Sequence, residues 1–160
     1  MGSAVAIIVG QLLGAGRMEE AKDTDTKMIA FSVIACVGIA AVMFCLAPIF
    51  PKLYNTSDVV RNQATAFMMA QAIFIPQAAF LNTAYFTLRA GGKTVITFFF
   101  DCAFIWVISI PVVFILSRFT GLPPHYIYVC GQLAEFGKSV IGFVLIKKGV
   151  WINNLVKELS

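Results

Sequence analysis

MIAFSVIACVGIAAVMFCLAPIF, residues 28–50, contains no charged side chain. As a helix rising about 1.5 Å per residue, this run is long enough to cross a hydrocarbon core of roughly 30 Å. It is too long for a strand of a membrane barrel, and its apolar positions do not alternate as such a strand requires. Three similar segments follow: residues 62–88 without charge, 95–117 with Asp101 alone, and 126–146 with Glu135 and Lys138. Residues 1–13 are equally apolar but cover less than a bilayer. The expected fold is therefore all-α, a polytopic transmembrane helix bundle with four full spans and a partial N-terminal one.

Composition points the same way. The chain is 59% hydrophobic, against the roughly 45–50% usual in soluble domains. Its net charge of +4 does not describe a nucleic-acid partner, because the basic residues lie in short connections and form no stripe. Cys36, Cys45, Cys102 and Cys130 all fall in apolar runs without the spacing of a zinc or redox site, so they read as small packing residues, and no metal is expected. No secretory signal is present. The loops leave no room for a soluble catalytic domain, and an enzyme is not expected.

The connections fix an orientation. With sides alternating, one side carries Arg17, Lys22, Lys27, Arg89, Lys93, Lys147, Lys148 and Lys157, and the other only Lys52, Arg61 and Arg118. The positive-inside rule then makes the first side, and the C-terminus, cytoplasmic. Tyr126, Tyr128 and Trp151 are placed for an interfacial belt. Pro48 and Pro51 end the first full span, and Asn55-Thr56-Ser57-Asp58 reads as a helix start.

Chemistry is concentrated at a few intramembrane positions. Gln71, Gln77 and Asn82 are amides in an uncharged span, with Pro76 as a candidate hinge because it removes a backbone hydrogen bond. Gln71 and Asn82 fall on one helical face, and amides are costly against lipid. Gln71, Gln77 and Asn82 are therefore expected either to line a substrate cavity, together with Glu135 and Lys138, or to hydrogen-bond between helices. Glu135 and Lys138 are three apart, can neutralise one another, and share their face with Gln132. Asp101 and Glu135 are the candidates for a coupling proton or cation, and Asp101 could instead serve the adjacent loop. His125 has no ligand-type neighbours in sequence, and Gly10, Gly14 and Gly16 fit no phosphate-binding pattern.

Two segments carry a family likeness. They are Val9-Gly10-Gln11-Leu12-Leu13-Gly14-Ala15-Gly16-Arg17, continuing to Ala21-Lys22, and Leu88-Arg89-Ala90-Gly91-Gly92-Lys93-Thr94. Together they resemble the C-terminal lobe of MATE (multidrug and toxic compound extrusion) transporters, in which a GQxxGAGxxxxA stretch follows one helix and an LRGxGxT-like turn a later one. Ala90-Gly91 is a mild departure, and the tail Lys148-Gly149-Val150-Trp151 also fits. The resemblance implies that residues 1–13 end the eighth helix, that the full spans are helices nine to twelve, and that the N-terminal lobe is missing. It implies a secondary antiporter in a bacterial inner or plasma membrane, exporting amphipathic or cationic substrates against Na⁺ or H⁺, with no other cofactor and inactive as this lobe alone. Unlike some Na⁺-coupled members, this chain has no acid in the 62–88 span. A lipid or polysaccharide flippase of related architecture and a small structural membrane subunit are the alternatives.

Overall fold

The structure is a computed structural model that describes residues 2–152. Helix α1 spans Gly2–Gly14, α2 Met18–Leu46 and α3 Asp58–Ala90. Thr94–Phe98 forms the short α4, which continues through two π-helical stretches, Phe99–Ala103 and Ile105–Ser109, into α5, Ile110–Phe119. Helix α6 spans Pro124–Lys147. No strand occurs among the described residues. Four helical stretches are long and apolar enough to cross a membrane: Met18–Leu46, Asp58–Ala90, Asp101–Phe119 and Pro124–Lys147.

The boundaries differ from the sequence reading in instructive ways. Helix α2 begins at Met18, ten residues before its uncharged run, because Arg17–Glu20 and Asp23–Lys27 pairs support the polar turns. It stops at Leu46 rather than Phe50, and a 3₁₀ turn over Phe50–Leu53 follows around Pro51. Ser57 is the N-cap of α3, without a side-chain capping bond. Pro76 lies inside α3, and the helix is continuous through it.

Polarity runs inside out. Phe31, Ile34, Ile39, Val107 and Phe119 are exposed, whereas Asp25, Ser32, Thr83, Thr87, Thr97 and Lys138 are buried. Water would reverse that arrangement; a bilayer favours it, since lipid accepts apolar side chains and penalises unpaired polar ones. The α2–α3 interface is built accordingly from small and hydroxylated residues. The Thr87 hydroxyl donates to Asp25 Oδ1 over 2.6 Å, and the Thr83 and Ser32 hydroxyl oxygens lie 3.3 Å apart. Buried Ala21, Ala40, Ala72 and Ala84 let the backbones approach, as membrane packing requires.

One end of the bundle is locked by an apolar cluster of Val5, Val9, Leu13, Ala21, Leu88 and Trp151. Trp151 lies at this end of the bundle but is 1% exposed, so it packs on protein and not on lipid. Its backbone also explains Gly91, since a Cβ there would overlap the Trp151 carbonyl oxygen. Gly16, at φ 76°, makes the left-handed turn that separates α1 from α2. The basic connections after α1, α3 and α6 thus gather at one end, as the alternation of spans requires. Lys157 lies outside the described residues.

Candidate functional site

Asp101, Glu135 and Lys138 converge between α3, the first π-helical stretch and α6. A cavity of about 350 Å³ is lined there by Asn82, Tyr85 and Phe86 from α3, Asp101 from the π-helical stretch, and Glu135 and Lys138 from α6. Asp101 lies where the helix widens, a distortion that recurs at functional sites. Lys138 donates to Asp101 Oδ1 in an ion pair between elements. The Lys138 side chain is 9% exposed and the Asp101 side chain 44%, so the cation is the deeper member of the pair.

The ion pair of Lys138 reaches beyond the Glu135–Lys138 pairing that the sequence suggests. Their helical spacing permits it, but the carboxylate that meets the ammonium comes from another helix. Glu135 faces the same cavity without an ion pair or hydrogen bond among the described residues. Tyr85 and Phe86 place aromatic side chains on the opposite wall. Glu135, Tyr85 and Phe86 thus bring a carboxylate and two aromatic faces to the cavity that also holds the Lys138–Asp101 pair.

The three amides of α3 do not act together. Asn82 lines the Glu135 cavity. Gln77 lines a second one, about 680 Å³, whose remaining residues are Ile73, Phe74, Phe80, Phe136, Ser139, Val140 and Phe143. Both polar atoms of Gln77 and the Ser139 hydroxyl are buried there without a hydrogen-bond partner among the described residues. Gln71 joins α3 to α6, accepting from the Tyr128 hydroxyl, to which Gln132 Nε2 also donates over 2.9 Å. Gln71 thus hydrogen-bonds between helices, while Asn82, on the same face, lines the Glu135 cavity. Tyr128 accordingly turns inward rather than joining a belt, and packs edge-on to Phe67 with ring centroids 5.6 Å apart.

His125 also contacts Phe67 edge-on, at 6.5 Å between centroids, and no group of potential metal ligands occurs among the described residues. All four cysteines are free. Gly10, Gln11, Gly14, Gly16 and Arg17 lie at or just beyond the end of α1, and Arg89, Gly91 and Gly92 at the end of α3. Together they form the locked end of the bundle rather than the cavity. Asp25, buried beside Thr87, is a residue that the sequence reading passed over as part of a polar loop. The spacing of Thr83 and Thr87 by one turn was the available signal for a polar partner.

Helices with apolar exteriors, an intramembrane ion pair and a polar cavity between them define an integral membrane protein of the transporter kind. The sequence model of the MatE family matches residues 1–115, and the chain belongs to that family of membrane transporters. The match takes in α1 to most of α5, so Asp101 lies inside it and Glu135 and Lys138 beyond it. No curated protein and no solved structure matches the chain.

Proposed function

We propose that this chain serves a secondary antiporter that exports amphipathic organic cations in exchange for H⁺ or Na⁺. The chain would form the C-terminal lobe, facing a second lobe, with its own C-terminus cytoplasmic in a bacterial inner or plasma membrane. The observation that carries the reading is the position of Glu135: it lines a membrane-embedded cavity while Asp101 takes up the charge of Lys138. A single carboxylate can hold an organic cation or a coupling proton or Na⁺, but not both. Mutually exclusive occupancy of one acid is the simplest chemistry for exchange. In this scheme Asp101 acts through Lys138, and Asn82 orients the bound ligand.

The test is binding of a fluorescent lipophilic cation to the purified chain in detergent, compared with Glu135→Gln. Loss of a charge-assisted contact is worth about 1.5–3 kcal/mol, so affinity should fall by roughly ten- to a hundredfold. Acidification should compete with the cation in the parent chain and have much less effect in the variant. Unchanged affinity in Glu135→Gln, with normal folding, would remove the carboxylate from the site.

A further inference from the structure

Helix α3 presents another face to a groove that shares no lining residue with the Glu135 cavity. Two cavities meet in it, because Phe80 and Phe143 line both. The first, about 480 Å³, is bordered by Lys22 near the start of α2, Lys147 at the last residue of α6, and Trp151 just beyond. The second is the 680 Å³ cavity already described, wholly aliphatic and aromatic apart from Gln77 and Ser139. The groove is therefore basic at one end and apolar along the rest.

Its length has a meaning in a bilayer. Phe136 lies about three helical turns from Lys147 along α6, roughly 16 Å at the helical rise. Half of a ~30 Å hydrocarbon core is nearly the same distance. The charged end thus falls at the depth of headgroups and the apolar end near the midplane. Lys22 and Lys147 are exposed and have no ion pair among the described residues. Asp25 shares their wall, fully buried, with Oδ1 accepting from Thr87 and Oδ2 without a hydrogen-bond partner among the described residues, so the two exposed lysines outnumber one buried carboxylate at the mouth.

We propose that this groove holds a membrane glycerophospholipid, its phosphate between Lys22 and Lys147 and one acyl chain lying along Phe80 and Phe143 toward Phe136. Basic pockets between membrane helices attract phosphate headgroups, and the flexible lysine stems can follow them. A peptide segment fits less well, since it would carry backbone N–H and C=O groups into a track with almost no partners for them. A free phosphate would leave the apolar track unfilled. The proposal is independent of the role given to Glu135.

Native mass spectrometry of the full chain in a nonionic detergent, titrated with dioleoyl phosphatidylglycerol, tests it. One lipid per chain should bind ahead of the non-specific ladder. At roughly fivefold per lysine, the Lys22→Ala/Lys147→Ala double variant should weaken that binding about thirtyfold. Lys148→Ala, next in sequence but not lining the groove, should leave it unchanged. Dioleoylglycerol, which lacks the phosphate, and glycerol 3-phosphate, which lacks the chains, should both bind weakly. Gln77→Leu should preserve or strengthen lipid binding, because an acyl chain makes no hydrogen bond. Equal binding by the double variant, equal loss in Lys148→Ala, or tight binding of either truncated ligand would overturn the proposal. So would weakened binding in Gln77→Leu, which would point to a ligand with polar atoms at depth, and a dimer in place of the lipid adduct.

Discussion

Lys138 shares its cavity with two carboxylates, and its ion pair to Asp101 crosses from one helix to another. Its bond to Asp101 ties α6 to the π-helical stretch, whereas Glu135, one turn away on the same helix, is left to the cavity. Replacing Lys138 by Met should therefore lower stability by about 1–3 kcal/mol, because Asp101 loses its cation in a partly dehydrated setting. Adding Asp101→Asn should restore part of that loss in thermal unfolding in detergent, the signature of a coupled pair in a double-mutant cycle. Glu135→Gln should cost little stability in the same assay, because no partner is broken. Thr87→Val should be costly by a similar 1–3 kcal/mol, since it strips a buried carboxylate of its donor. Sequence spacing points to both acids of the cavity but gives no sign that Asp101 reaches Lys138. A helical wheel compares residues of one helix, and the competing carboxylate came from another. Asp25 was hidden for a related reason: its run Asp23-Thr24-Asp25-Thr26-Lys27 reads as solvated, and only the arrival of Thr87 shows which of its acids turns inward.

The apolar runs were sufficient to find the membrane helices, because lipid imposes length and composition on a span far more strictly than water does. They did not reveal the widened turns over Phe99–Ala103 and Ile105–Ser109. A π-helical turn takes more residues than an α-helical one, so face assignments at 100° per residue fail beyond it. Nor do they show that Trp151, at the end of the bundle, packs against protein in a cluster with Leu13 and Leu88. The loop glycines make sense only with that tryptophan in position. Gly91 is where the end of α3 meets the Trp151 backbone, so Gly91→Ala must push the tail away or distort the helix end. The expected cost is about 1–3 kcal/mol, that of overpacking a tight contact. It should be read as a lower melting temperature, together with greater exposure of Trp151 in its fluorescence. An unchanged melting temperature would mean that the tail is not held against α3.

The assembled bundle turns the count of basic residues into a geometric statement. Leu13, Ala21, Leu88 and Trp151 share one cluster, so the connections after α1, α3 and α6 lie at one end whatever the membrane orientation. Which side of the membrane that end faces depends on charge alone. Among the described residues seven Lys and Arg accompany it and three the other end, a bias that by the positive-inside rule would put the richer side in the cytoplasm. Single cysteines introduced into a chain freed of its four native ones separate the two statements. Ser57→Cys and Leu122→Cys should react with a membrane-impermeant maleimide on intact cells, whereas Lys93→Cys and Lys148→Cys should react only after permeabilisation. If the two pairs exchange behaviour, the charge argument fails while the bundle stands. If Lys93→Cys and Lys148→Cys differ from one another, the packing of Trp151 against α3 is itself wrong, because residues at one locked end cannot lie on opposite sides of a bilayer.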